Sequence, residues 1–595
     1  MKYKLINTPN NKYNAKQQIL INRGLKETDL NHYMNLTDND INDPEIFGKE
    51  LMQAGADLVL KTAKNESDIC VIVDCDCDGY TSSAVLINYL VDAFPQLTEH
   101  IHWFMHEGKQ HGLSDAMDWI EDIGPSLVII PDAGSNDWNE LDVLHKDGRD
   151  ILILDHHEIE GDAYPNCVLI NSQLPQYPNK ELSGVGVTWQ FCRYLDKIKG
   201  TNFAEWYYDL VALGNTGDMM SLKSFETRRL IFKGLEPANI HNPFMFEMWQ
   251  KNMFKLTDTP TSWGVTFYIV PFVNAITRSG TLEEKELIFS SMLKHKAFEK
   301  IPSNKRGHKP GELERVVDQA VRTCTNVKNR QSRAEEAGLE LVEHLIKDNH
   351  MMEHKVLLFL LEPNAIKAEI RGLIANKLMA RYQRPCCMLT KVERDGVITF
   401  EGSARGCDKV GVTEFKDICA ETGVCNYTIG HQGAFGLGIT WQTPGAEEIA
   451  GENIYQFLDK TDEILKDMSD EPIYYVDYIW SAKEADPTAI IDVAEMAPYW
   501  GKDMDEALVA VQGIQITKEM ITMMKSNTVK ITLPNGVSII KFHMPDEEYN
   551  KLVSENGYVE INAVAKCNKN EWNGNVSAQL LLEDYEIVGG CAYVF

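Results

Sequence analysis

Residues Cys70 to Ser82 read C-V-I-V-D-C-D-C-D-G-Y-T-S and constrain this chain more than any other stretch. Four apolar residues bounded by a turn signal predict a short buried strand. The strand runs into Asp74, Asp76 and Asp78. Side chains alternate along an extended chain, so the three carboxylates are expected on one face, with Cys75 and Cys77 on the other as packing residues. Carboxylates that converge without an opposite charge raise one another's pKa. A divalent cation removes that cost, and an oxygen-rich ligand set suits Mg, Ca or Mn. The bland alternative is a solvated acidic turn after a strand.

The pattern then recurs. Leu127 to Pro131 runs into Asp132, and Ile151 to Leu154 runs into Asp155, His156 and His157. A further Gly217-Asp218 follows the apolar stretch Val211 to Gly214. In open parallel α/β sheets the site lies outside the carboxyl ends of the strands. Acids and histidines ending successive strands therefore predict one convergent metal site.

Together these residues resemble the DHH phosphoesterase superfamily: D-x-D-x-D-G-x-T-S at Asp74–Ser82, the Asp after the second strand, D-H-H at Asp155–His157 and the later Gly-Asp. N-A-x-x-R at Asn274–Arg278, G-S-A-R at Gly402–Arg405 and G-H-x-x-A-x-G at Gly430–Gly436 are similar to one branch, the RecJ single-strand-specific exonucleases. The resemblance covers nearly the whole chain. It implies an α/β fold in which a parallel-sheet DHH domain is joined by a long helix to a smaller α/β DHH-associated domain, with an OB-like β-barrel at the C-terminus. It implies a metal-dependent exonuclease that degrades single-stranded DNA from 5′ to 3′. Two divalent cations, Mn2+ or Mg2+, would be held by Asp74, Asp76, Asp78, Asp132, His156 and Asp218, with Asp76 and Asp132 catalytic; which acid holds which ion is left open. His157 would stand beside the phosphate as charge stabiliser or proton donor. Asn274, Arg278, Gly402, Ser403, Arg405, Gly430 and His431 would bind substrate. RecJ proteins usually carry an Arg where His106 stands, so a phosphate contact is not expected there. A helicase or a single-strand-binding protein is the implied protein partner.

The chain is too long, at 595 residues, for a single core. The expected blocks are a helical region at 1–68, the DHH domain at 69–309, a connecting helix at 310–348, the DHH-associated domain at 349–455 and the OB-like domain at 456–595. Within the first, Phe47 to Ala63 is expected to be helical. Leu313, Val316, Val317, Ala320, Val321, Cys324 and Val327 recur at helical spacing, which places one helix over Pro310–Lys347. Its length suits a strut between two lobes. Gly184 and Gly186, before the next helix, read as a tight turn with close backbone packing. Pro534-Asn535-Gly536 and Trp572-Asn573-Gly574 predict hairpins between alternating strands.

A net charge of −30 argues against a nucleic-acid binder. The charge is uneven, however: Lys294 to Arg333 holds 11 Lys or Arg and 4 Asp or Glu. Such a run is either a substrate channel or a solvated helix face. Met1 to Tyr13 has no apolar signal core, and the longest apolar run, Val356 to Leu361, is too short to span a membrane. Thirteen cysteines without such a signal suit a reducing cytoplasm. A cytoplasmic monomer with no membrane partner is expected. Two rivals stand beside the exonuclease: a phosphodiesterase for oligoribonucleotides or cyclic dinucleotides, whose members are usually shorter and lack the β domain, and a RecJ-like scaffold that has lost its nuclease residues.

Overall fold

The computed structural model describes residues 1–108, 110–469, 471–553, 557–572 and 574–592. The chain forms two compact units, one from Arg23–Asn329 with Met496–Glu506, the other from Met1–Asn22, Arg330–Glu495 and Ala507–Phe595.

The first unit is built on a parallel sheet of strands β1 (Ile69–Val73), β2 (Ile101–Met105), β3 (Leu127–Pro131), β4 (Asp150–Asp155) and β5 (Val168–Asn171). Their order across the sheet is β2-β1-β3-β4-β5, every pairing parallel. β1 and β3 are buried at each position, which is why they read as continuous apolar runs rather than alternations. Ile72, Val128, Ile130, Ile151 and Ile153 pack with Leu113, Leu141 and Leu144 in one core cluster. Helix Lys49–Asn65 covers the sheet at Leu152 and Ile170; a Cβ on Gly55 would lie 3.2 Å from Leu152 and 3.0 Å from Phe191. Strand order reverses between β1 and β3, so the segments leaving their carboxyl ends diverge and open a crevice there. Met496–Glu506 belongs to this unit: Arg228 lies under the rings of Tyr33, Tyr499 and Phe232 at 3.8, 4.4 and 4.6 Å.

The second unit holds two larger sheets. In the first, strands run in the order Cys425–His431, Ala434–Gln442, Val397–Arg405, Cys386–Arg394, Leu357–Leu361, and helix Ala368–Tyr382 packs against it. In the other, a mixed seven-stranded sheet, Gly557–Trp572 and Asn575–Ala592 form the long central hairpin. The Asn535-Gly536 turn forms as expected, with Gly536 at φ +87° and Leu533 N donating to Val537 O at 2.8 Å. Asn573, in the other expected turn, lies outside the described residues.

Two segments depart from the sequence reading. Lys2–Leu5, expected in a helical region, is a strand pairing in parallel with Ile473–Val476. Its partner is hundreds of residues away, and nothing local announces it. The long helix is Val316–Asp348, not Pro310–Lys347. Gly311 adopts φ +83°, and Leu313–Arg315 pairs antiparallel with Lys300–Pro302. Leu313 is therefore exposed, whereas Val316, Val317, Ala320, Val321, Cys324 and Val327 form the buried stripe. The boundary between the two units falls inside this helix, after Asn329. Among the described residues no helix is long and apolar enough to cross a membrane.

The hairpin is tied to the helix start by Glu314, which accepts from Arg322 Nη1 at 2.7 Å and from Gln319 Nε2 at 2.8 Å. The Arg322 guanidinium pulls the Glu314 carboxyl down from 4.5 to about 2. A depressed carboxylate contributes stability in full above its unfolded value and loses it as pH falls toward the folded value. The pair is partly exposed, so salt weakens it. Glu314→Gln is therefore expected to lower the melting temperature at neutral pH, with the gap to wild type narrowing as pH falls below 4.5. Melting curves from neutral pH down to the acid limit of the fold check this; a gap that does not change with pH would contradict it.

Candidate metal centre

The acidic run after β1 does not stay extended. Asp76 is the N-cap of helix Cys77–Ala93 and accepts from Gly79 N at 3.0 Å, and Asp78 lies in the first helical turn. The three carboxylates therefore meet through a strand-to-helix turn rather than along one strand face. This also corrects the expectation for the cysteines. Cys77 packs against helix Tyr208–Gly217, its thiol donating to Leu213 O at 4.0 Å. Cys75 instead faces the site, with its Sγ 3.7 Å from His111 Nε2.

β3 delivers Asp132 in a left-handed backbone conformation, φ +64°, uncommon for a residue other than glycine. Its amide donates to Leu154 O at 2.8 Å, which fixes the turn. β4 delivers the histidines. Asp155 accepts from His156 N at 2.7 Å, His157 N at 3.2 Å, His157 Nδ1 at 2.8 Å and Ser135 N at 3.3 Å. The first residue of D-H-H is thus the buried organiser of the loop, a role the motif alone did not reveal. Burial opposes its ionisation, but His157 holds the carboxyl well below the usual range. The same bond pushes the His157 imidazole up to about 9. His156 is lowered by burial, which keeps it in the neutral form that ligates metals.

Helix Tyr208–Gly217 presents Asp218 at its C-cap. Two glycines allow its approach: a Cβ on Gly214 would sit 2.5 Å from Asp78 Oδ1, and one on Gly217 would sit 2.8 Å from Cys77. His156 Nε2 then lies 3.2 Å from Asp132 Oδ1, 3.4 Å from Asp218 Oδ2 and 3.9 Å from Asp78 Oδ2. Ligand atoms of Asp74, Asp76 and Asp132 form a second group within 4.8 Å of one another, and those of Asp132, His156 and His157 a third.

Asp78 is the most heavily engaged of these acids. It accepts from Ser183 Oγ at 3.0 Å, Gly184 N at 2.7 Å and Val185 N at 3.1 Å, at the N-terminus of helix Gly184–Lys199. The helix dipole favours a carboxylate there. The Gly184 turn, read from the sequence as close packing, thus also supplies donors to the site. Asp74 Oδ1 and Asp132 Oδ1 are buried and make no hydrogen bond. A buried carboxylate oxygen left without a donor is costly. Burial and neighbouring carboxylates push Asp76 up to about 6 and Asp218 up to about 8, and raise Asp132 well above the usual carboxylate range. A cluster of hard oxygen donors plus one neutral imidazole fits divalent cations such as Mn2+ or Mg2+.

The DHH family, N-terminal domain, matches residues 68–215, and the RecJ OB domain matches residues 476–584. The SPbeta prophage-derived protein YorK of Bacillus subtilis (strain 168), which carries the name of a single-strand DNA-specific exonuclease, is 31% identical over 594 residues, 99% of this chain and 98% of its own. The chain belongs to the RecJ family. Bacillus subtilis RecJ itself is 24% identical across 95% of this chain and 67% of its own length. RecJ from Thermus thermophilus, solved in complex with Mn2+, has the same fold, with a TM-score of 0.65 and 18% identity over 90% of this chain and 71% of that one.

The remaining family positions are carried by other elements. Arg278 is exposed on helix Val270–Ser279, with Asn274 one turn earlier on the same helix. Gly402, Ser403 and Arg405 lie on Val397–Arg405 in the second unit; a Cβ on Gly402 would meet Met388 O at 2.0 Å, so that glycine is needed for packing. Arg405 donates to Ala404 O at 2.6 Å and packs beside Gly372. Arg405 and His431 both register with Ala434, which brings G-S-A-R and Gly430-His431 onto flanking strands. His106 is buried against Asp115 Oδ1 at 2.8 Å and does not face solvent. At least three of the eleven basic residues of the run are spent internally: Lys294 pairs with Asp92, Arg315 with Asp318 and Glu247, and Arg322 with Glu314.

Gly184 offers a test of this geometry that removes no ligand. A Cβ there would fall 2.3 Å from Asp132 Oδ1 and 2.6 Å from Asp132 Cβ. Gly184→Ala is expected to displace Asp132 and weaken Mn2+ binding at least about tenfold, as displacement of supporting groups does. Titration calorimetry measures this; wild-type affinity in the variant would show that Asp132 takes no part in binding the ion.

Proposed function

We propose that the chain is a metal-dependent exonuclease that hydrolyses phosphodiester bonds of single-stranded DNA from the 5′ end and releases nucleotides. Family membership supports the nuclease reading. The observation that carries it is the pair of buried, donorless oxygens, Asp74 Oδ1 and Asp132 Oδ1, in a cluster with Asp76, His156 and Asp218. We assign these five residues, together with Asp78, which groups with His156 and Asp218, to two cations. When bound, divalent ions supply an activated water and compensate charge on the scissile phosphate. The chain's residues do the rest. Asp155 holds His157 Nδ1, so the protonated imidazole offers Nε2–H to a phosphate or leaving oxygen. Asp76 and Asp132, unable to ionise together cheaply, gain most from cation binding. Polarity and preference for single strands follow the family resemblance.

Asn274, Arg278, Gly402, Ser403, Arg405, Gly430 and His431 are assigned to substrate. A terminal phosphate carries more charge and more free acceptors than a diester, and an Arg fork recognises it. With His106 buried on Asp115, that recognition rests on the other residues. A single-strand-binding protein or a helicase would supply the strand, and a cytoplasmic monomer fits this reading.

One experiment tests it: purified protein on end-labelled single strands with 5′-phosphate or 5′-hydroxyl, on blunt duplex and on dinucleotides. EDTA is expected to abolish hydrolysis and Mn2+ or Mg2+ to restore it, with single strands shortened from the 5′ end and blunt duplex a poor substrate. Asp132→Ala is expected to slow hydrolysis by at least about a hundred- to a thousandfold. Arg405→Ala is expected to slow degradation of 5′-phosphorylated strands by about ten- to a hundredfold more than of 5′-hydroxyl strands. Full activity after exhaustive chelation, equal rates on blunt duplex, or turnover of dinucleotides alone would each overturn the reading.

A further inference from the structure

His111 lies on the segment between β2 and the helix Met117–Ile123, outside the ligand set assigned above. Its Nδ1 is 2.7 Å from Asp74 Oδ2. Asp74 is 1% exposed, and its other oxygen, Oδ1, is one of the two donorless atoms of the cluster. The two oxygens of one carboxylate are thus divided, one tied to an imidazole and the other left for the site. The Cys75 thiol lies 3.7 Å from His111 Nε2 and 3.9 Å from Nδ1 and backs the ring.

The segment that carries His111 is pinned on both sides. Before it, the buried Lys285 ammonium donates to three successive carbonyls, His106 O at 3.0 Å, Glu107 O at 2.8 Å and Gly108 O at 3.3 Å. The His106 ring is bonded to Asp115 at 2.8 Å. After it, Leu113 N donates to Asp137 Oδ2 at 2.8 Å. Gly112, at φ +75°, makes the bend between them, and a Cβ there would fall 2.1 Å from Asp137 Oδ2. The imidazole is therefore held against Asp74 by buried anchors, although it is itself more than half exposed.

We propose that His111 is a positioning residue for the metal centre: its Nδ1–H fixes Asp74 so that Oδ1 faces the cation. The inference rests on the reading of the cluster as a cation site. Ligating carboxylates are commonly held by such partners, whose loss costs about ten- to a hundredfold in metal affinity. Nδ1–H donates in the neutral tautomer as well as in the imidazolium, so the role does not depend on titration.

The test is Mn2+ affinity by titration calorimetry on the full-length chain, for wild type, His111→Ala, His111→Asn and His111→Gln. The Asn amide N–H stands near the position of Nδ1, whereas the Gln amide reaches toward Nε2. We expect His111→Ala to weaken Mn2+ binding about ten- to a hundredfold. His111→Asn should restore most of the affinity and His111→Gln little. The metal-free melting temperature is expected to fall in His111→Ala, which leaves the buried Asp74 Oδ2 without its donor, and less in His111→Asn, so Mn2+ affinity is the deciding readout. Wild-type affinity in His111→Ala, or Asn no better than Ala, would overturn the positioning role while leaving the metal centre standing. A wild-type protein that binds no Mn2+ would overturn the metal centre and this role with it.

Discussion

Repulsion among buried carboxylates is the constraint around which the first unit is arranged. Asp74, Asp78 and Asp132 are almost fully buried, and Asp76 and Asp218 stand beside them. In a medium that screens poorly, such a group cannot be left ionised without compensation. The fold supplies part of that compensation. The N-terminus of helix Gly184–Lys199 meets Asp78, and His111 meets Asp74. Asp155 spends its charge on the loop amides and on His157. The remainder is centred on Asp132, Asp76 and Asp218, where the neighbouring imidazole of His156 is held neutral by burial. A divalent ion fits that remainder.

Glycines make the convergence sterically possible. Gly79, Gly184 and Gly214 stand where a Cβ would lie within 2.6 Å of Asp74, Asp132 or Asp78 atoms. At these three points a neighbouring element has given up its side chain to let the ligand approach. The parallel order β2-β1-β3-β4-β5 places the ends of β1 and β3 side by side at the reversal, so the site sits at the crevice that the topology creates.

Much of this was legible in the sequence because the strands are short apolar runs that end in chemistry. The resemblance to RecJ rested on the same residues, and the family comparison bears it out. Other features were hidden for physical reasons. The turn from β1 into helix Cys77–Ala93 changes which way Cys75 and Asp78 point, and strand alternation cannot anticipate a helix start. Leu313 fits the helical period yet belongs to a strand, because Gly311 turns the chain and Lys300–Pro302 offers a partner. Lys2–Leu5 and Met496–Glu506 find their neighbours far along the chain. His111 and Lys285 carry no local signal, since their meaning comes from what they meet in space. The basic run from Lys294 to Arg333 looked like a substrate channel by charge alone, but ion pairs with Asp92, Glu247, Asp318 and Glu314 occupy several of its members.

The central claim, that the carboxylate cluster is the resident divalent-cation site, is tested most directly by diffraction from crystals grown with Mn2+ and measured at the manganese absorption edge. The account predicts anomalous peaks for two ions bounded by Asp74, Asp76, Asp78, Asp132, His156 and Asp218. Peaks confined to surface carboxylates, with the buried cluster free of metal, would contradict it.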